Sequence, residues 1–137
     1  MTTIIDADGA TLGRLSTFAA KRLLNGEEIA VVNSEKAIIS GKKAMIKKQY
    51  KQKRDIGTYR KGPFFPRTPE RIVKRAIRGM IPYQTSHGRT AYKKLKCYIG
   101  IPEEFNGKKF EKIKEAEKQH VNYMTIMELS RALGADI

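Results

Sequence analysis

The sequence predicts an α/β domain built on a mostly parallel sheet, and three observations carry that expectation. A short apolar strand, an amphipathic helix and a second apolar strand follow one another at the start of the chain. The second strand, Ile29 to Asn33 (IAVVN), contains a short continuous apolar run, as expected of a strand covered on both faces. Strand, helix, strand in that order gives a right-handed crossover between parallel neighbours. With 137 residues the chain suits one domain and can bury roughly two-thirds of its unfolded surface.

Thr3 to Ala7 forms the first strand, and Asp8 and Gly9 turn the chain. Thr11 caps a helix reaching about Leu24, with Leu12, Leu15, Ala19 and Leu23 as its buried stripe, Phe18 beside it, and Asn25-Gly26 at its end. After Ile29 to Asn33, Ala37 to Ile39 makes a third, shorter strand. Gly41 to about Arg54 is helical and very basic, with a narrow apolar stripe of Ala44, Ile46 and Tyr50. Lys42 and Lys43 stand near its N-terminus, where the helix dipole disfavours cations. Residues 55–66, DIGTYRKGPFFP, form a loop in which aromatic rings alternate with cations. Phe64 and Phe65 either pin that loop to the core or stack on bases.

Arg67 to Pro82, RTPERIVKRAIRGMIP, is the helix with the clearest ends. Thr68 is a suitable N-cap, Pro69 suits the first turn and Glu70 complements the dipole. Gly79 and Pro82 bound the far end. At about 100° per residue, Arg71, Lys74, Arg75 and Arg78 share one arc, opposite Ile72, Val73, Ala76, Ile77 and Met80. Such a stripe is either a solvated face or a surface for an anion. Beyond it come a basic loop leading into a short helix, a strand from Leu95 to Ile99, and a mixed-charge stretch from Pro102. That stretch reads as a hairpin-like turn and a charged helix. Thr125 opens a final helix to about Gly134, with a capping box to Glu128.

Charge decides between the two readings of the stripe. The chain carries 28 Lys and Arg against 14 Asp and Glu, a net charge of +14. From Lys42 to Lys96 there are 18 basic residues and only two acids, Asp55 and Glu70, so the whole surplus sits in mid-chain. A surplus of this size repels itself unless a polyanion neutralises it. Nucleic acid is the first expectation and an anionic membrane surface the second. One cysteine, Cys97, allows no intramolecular disulfide, and no apolar run or leader-like N-terminus is evident, so a soluble cytoplasmic protein is expected.

Catalytic chemistry finds no matching pattern. Gly9 and Gly13 resemble part of a dinucleotide fingerprint without its first glycines. Ser40-Gly41-Lys42-Lys43 ends like a phosphate loop, but Lys36 and Lys43 stand where Gly and Ser or Thr are required. His87, His120 and Cys97 are too scattered for a metal. No cofactor, metal or small-molecule substrate is expected. A nucleotide-binding α/β protein or enzyme is the disfavoured alternative. Recognisable duplex-reading elements are missing too, so loops mixing cations with aromatics point to folded RNA.

Residues Ile77 to Gly100, IRGMIPYQTSHGRTAYKKLKCYIG, resemble the signature of the universal large-subunit ribosomal protein family L-thirteen. Asp6-Ala7 before Leu12-Gly13-Arg14-Leu15, the run Val32-Asn33-Ser34-Glu35-Lys36, Ser40-Gly41-Lys42-Lys43 and Arg67-Thr68-Pro69-Glu70-Arg71 agree with it. GPFFPRTPER and IRGMIPYQT are similar to the archaeal and eukaryotic branch. Cys97 departs from the pattern, standing where Val or Ala is expected. The resemblance implies a three-layer α/β/α fold around a four-stranded, mainly parallel sheet. It also implies a non-catalytic, monomeric constituent of the large ribosomal subunit that binds and helps fold ribosomal RNA beside neighbouring ribosomal proteins. By motif position, the Gly41-Lys42-Lys43 turn and Arg78-Gly79-Met80 would face RNA. The charge and face argument adds Lys47, Arg60, Lys61, Arg67, Arg71, Lys74, Arg75, Arg89 and Lys93, and the mixture of aromatics and cations in the loop adds Tyr59. The expected layout is one domain over residues 1–137, a basic RNA-binding segment at about 41–96 and a C-terminal helix at about 125–134.

Overall fold

A computed structural model describes residues 2–57, 60, 62, 64–113 and 121–135. It is a mixed α/β structure containing the expected crossover. Strand β1 (Thr2–Asp6) leads to helix α1 (Leu12–Leu24) and strand β2 (Glu28–Val32). β1 and β2 pair in parallel with Ile4 opposite Ala30 and Ile5 opposite Val31. The predicted stripe of α1 is buried, and Ser16 and Ala20 join it. Gly26 leaves the helix at φ 93°, in the left-handed region that glycine adopts without strain.

β3 (Ile38–Ser40), α2 (Lys43–Asp55), α3 (Pro69–Arg78), α4 (Ser86–Lys93), β4 (Leu95–Cys97), β5 (Tyr123–Thr125) and α5 (Ile126–Ala132) follow. β4 lies parallel to β2 on the side away from β1, with Ile29 opposite Leu95 and Val31 opposite Cys97. Among the described residues the main sheet therefore has three parallel strands, not the expected four. β3 pairs antiparallel with β5 in a separate ribbon, Ile39 opposite Met124. The reason is chain length. Only residues 33–37 separate β2 from β3, whereas a parallel crossover needs about a dozen or more. Asn33, at φ 56°, instead turns the chain out of the sheet through a 3-10 turn at Ser34–Lys36. The free edge of β1 is met by Glu111, whose N–H donates to the Ile4 carbonyl (2.8 Å) and whose carbonyl accepts from the Asp6 N–H (2.9 Å).

Alternation along the strands separates two apolar clusters. Ile5, Ile29, Val31 and Leu95 pack with α1, with Ile72, Val73 and Ile77 of α3, and with Leu129 of α5. Ile4, Ala30 and Val32 point the other way, onto Phe105 and Tyr98. The charged helix expected within residues 114–120 lies outside the described residues.

The helix ends separate real caps from nominal ones. Thr125 Oγ1 accepts from the Glu128 N–H (3.2 Å), and Thr85 Oγ1 accepts from the Gly88 N–H (3.1 Å). Thr68 occupies the N-cap position of α3 but makes no capping bond, and its hydroxyl is buried without a partner. The expected cap is therefore corrected. An unpaired buried hydroxyl contributes no hydrogen bond to lose. Thr68→Ala should leave stability within about 0.5 kcal/mol of the wild type, whereas Thr85→Ala should cost about 1 kcal/mol. Chemical denaturation of the two variants checks the contrast.

Candidate nucleic-acid interface

Helix α3 is the centre of the site. Pro69 starts it, and the Ile72 N–H donates to the Thr68 carbonyl (3.0 Å) as its first hydrogen bond. Ile72, Val73 and Ile77 are buried, which fixes the rotation of the helix and turns Arg71, Lys74, Arg75 and Arg78 outward together. Past Arg78 the chain tightens: the Met80 N–H donates to Ile77 O and the Ile81 N–H to Arg78 O. Met80, expected on the buried side, lies beyond the helix end and is 43% exposed.

Aromatic rings hold the cations in place. The Arg78 guanidinium lies 4.2 Å from the Tyr83 ring centre, and Lys74 Nζ lies 5.0 Å from that of Tyr92. Tyr83 and Tyr92 meet edge to face at 5.2 Å. Arg75 stands 5.9 Å from Phe65. Each contact contributes on the order of 0.5–1 kcal/mol at a partly exposed site. Its larger effect is to order long side chains before anything binds. Burial raises the Tyr92 hydroxyl pKa, against the opposing pull of Arg78, so the ring stays neutral.

The 55–66 loop divides its two phenylalanines between the two readings of the sequence. Phe65 is pinned: Arg54 Nη1 donates to its carbonyl (2.7 Å), Tyr50 meets its ring edge to face at 5.6 Å, and Lys53 lies 5.3 Å above it. Phe64 is 63% exposed. Beyond α3, Thr85 Oγ1 donates to the Pro82 carbonyl (2.8 Å) while it caps α4. Arg89 Nε donates to the Tyr83 carbonyl (3.2 Å), which places Arg89 on the same face.

The other predicted residues are dispersed. Lys43 at the start of α2 pairs with Glu128 of α5 at 3.1 Å, a surface pair worth at most about 1 kcal/mol. Lys42, the N-cap residue of that helix, and Lys47 within it are exposed. Arg67 reaches toward the end of α5, where a β-carbon on Gly134 would stand 3.6 Å from its Nη1. Lys93 lines a separate hollow with Lys94, Lys96 and Lys108, beside Tyr98 and Phe105. Arg60 is exposed, and Tyr59 and Lys61 lie outside the described residues. Tyr83, Tyr92 and Lys53 are the members that sequence reasoning missed. The signal for the two tyrosines was present as aromatics flanking a basic helix, and that for Lys53 as one charge of basic α2, but only the fold shows which ring meets which cation.

The two glycine turns that resemble phosphate loops spend donors internally. The Gly9 N–H donates to Lys36 O (3.2 Å), and the Gly41 N–H donates to Asn122 O (2.9 Å). The carboxyl ends of the parallel strands, where α/β proteins commonly seat ligands, are laced together. Asn33 Nδ2 donates to Asp6 Oδ1 (3.0 Å), and the Gly100 N–H donates to buried Glu35 (2.9 Å).

Cys97 sits behind α3. Burial pushes its thiol from an ordinary 9.0 up to about 12, with Lys74 opposing and Glu70 reinforcing the shift. A folded pKa above the unfolded one favours the native state below about pH 9, and that contribution disappears as pH rises toward 12. The native thiol should therefore resist iodoacetamide at pH 8 and react once the chain is unfolded. Mass spectrometry of the two states checks this.

Among the described residues, no carboxylate pairs with Arg71, Lys74, Arg75 or Arg78. Fold and face together define a class: small α/β proteins with a pre-ordered cationic surface. Comparison with known proteins makes the assignment narrower. The family model described as Ribosomal protein L13 matches residues 1–104. A large ribosomal subunit protein uL13 of Archaeoglobus fulgidus is 54% identical, with 96% of this chain and 87% of the relative covered. The proteins of that name from Methanopyrus kandleri and Methanococcoides burtonii are 50% and 45% identical, with 96% and 97% of this chain and 86% and 98% of each relative covered. The chain belongs to the ribosomal protein L13 family.

Proposed function

We propose that this chain is a structural constituent of the large ribosomal subunit, not an enzyme, and that the α3–α4 face holds ribosomal RNA mainly through phosphates. The observation that carries the reading is the set of four cations on α3 that no carboxylate among the described residues compensates, three of them positioned by rings. Charges already ordered and close together gain most from a polyanion, because they lose little conformational freedom and release condensed counterions. Arg89 extends this face. Lys42, Lys43 and Lys47 at and along α2, Arg60, Lys61 and Tyr59 of the loop, Arg67 and Lys93 serve further RNA segments around it. Lys43 exchanges Glu128 for phosphate. A chain gripping several segments would help the RNA fold during assembly, beside neighbouring ribosomal proteins. We take residues 1–137 as one domain, with the three-stranded sheet as its middle layer.

Tagged full-length protein, expressed in an archaeal or eukaryotic host, should co-sediment with large subunits through a sucrose gradient and leave them when salt is raised. Sedimentation only at the top of the gradient would contradict the assignment.

A further inference from the structure

We infer that the hollow beside α3 receives an unpaired nucleotide, its base stacked on Phe64 and its flanking phosphates on Arg75 and Arg78. The inference rests on the RNA-binding reading above and adds the class of RNA that this face selects. Two hollows flank α3 and share Arg75 and Arg78 as a common wall. One is bounded by Phe64, Pro66 and Tyr92, the other by Tyr83 and Gln84. The first has a volume of about 290 Å³, just under the roughly 300–1,000 Å³ of small-molecule pockets. With cations for most of its wall, it suits a projecting part of a larger anion.

The rings around it differ in what they have left to offer. Tyr83 and Tyr92 already meet Arg78, Lys74 and each other. Phe65 is fixed by Arg54 and Tyr50. Phe64, 63% exposed, makes no ring or cation contact among the described residues. An exposed apolar ring beside four cations has no use for a duplex, whose base faces are hidden in the stack. It gains from a base that has left the stack, while the phosphates on either side find Arg75 and Arg78. Arginine adds bidentate geometry toward each phosphate.

The test compares two labelled probes on the full chain by fluorescence anisotropy: an oligoadenylate strand and a blunt-ended RNA duplex stem of equal phosphate count. Phe64→Ala should weaken the strand about 5- to 100-fold and leave the stem unchanged. Phe64→Tyr should keep wild-type affinity, and Phe64→Leu, apolar but without a π-face, should fall with Phe64→Ala. Strand affinity unchanged in Phe64→Ala, equal weakening on both probes, or Phe64→Leu binding like the wild type would each overturn the inference. So would an acidic peptide that displaced the strand as effectively as unlabelled oligoadenylate, since that result assigns the hollow to a protein. An Arg75→Ala/Arg78→Ala variant that flattens the salt dependence on both probes, with Phe64→Ala silent, leaves phosphate binding standing and removes stacking alone.

Discussion

Gly88→Ala should destabilise the protein by about 3 kcal/mol or more and dislodge α4. A β-carbon on Gly88 would stand 1.9 Å from the Pro82 carbonyl oxygen and 2.4 Å from its carbon. Both atoms belong to backbone, so no side chain can swing away to make room. The same carbonyl accepts the Thr85 N–H (3.0 Å) and hydroxyl (2.8 Å), and Thr85 in turn caps α4 through the Gly88 N–H. Displacing Pro82 therefore breaks the cap and separates Tyr83 from Arg78. Gly79 supplies the control. It lies at φ −65°, and a β-carbon there would meet only Ala76 and Arg75 carbonyls at 3.6 and 3.8 Å. Gly79→Ala should be neutral or stabilise by about 0.4–1 kcal/mol, since alanine has less unfolded-state entropy to lose. Urea denaturation separates the two. Equal midpoints would mean that α4 does not pack on the Pro82 carbonyl as closely as described.

That contrast also shows what a sequence displays and what it hides. The βαβ opening and the two faces of α3 were legible, because burial on one side leaves a period in the chain. Ile72, Val73 and Ile77 are buried where periodicity put them. Three features depend on packing and pairing that leave no such period. β3 looks like a further strand of the parallel sheet, but it pairs instead with β5, far along the chain, Ile38 standing opposite Thr125 and Ser40 opposite Tyr123. Thr68 has the residue type of a cap without the bond, since its hydroxyl is turned into the interior. Gly88 looks like a loop glycine inside a basic stretch, yet it is helical and required by close backbone approach. The candidate site divides in the same way. The cations of α3 follow from its rotation, while the rings that order them come from residues 65, 83 and 92 on three different segments.

Replacing both Arg75 and Arg78 with Ala should strongly weaken ribosomal RNA binding. These two side chains form the wall between the hollows, both are half-buried, and each stands near a ring. Ala at these positions removes charge from the exposed face and leaves Ile72, Val73 and Ile77 untouched beneath it, so the fold should persist. At the ionic strength of a cell the loss should be about 10-fold or more, on the scale of two charge-assisted contacts at roughly 1 kcal/mol each. Near-UV circular dichroism should match the wild type, apart from the signals of Tyr83 and Phe65.

The salt dependence of ribosomal RNA binding tests the central claim most directly. Each phosphate neutralised adds about 0.7 to 0.9 to the magnitude of the slope of log affinity against log salt. The double variant is predicted to have a slope shallower than the wild type by about 1.4–1.8, corresponding to two lost contacts. A slope identical to the wild type, whatever the change in affinity at one salt concentration, would contradict the assignment of the α3 face to RNA phosphates.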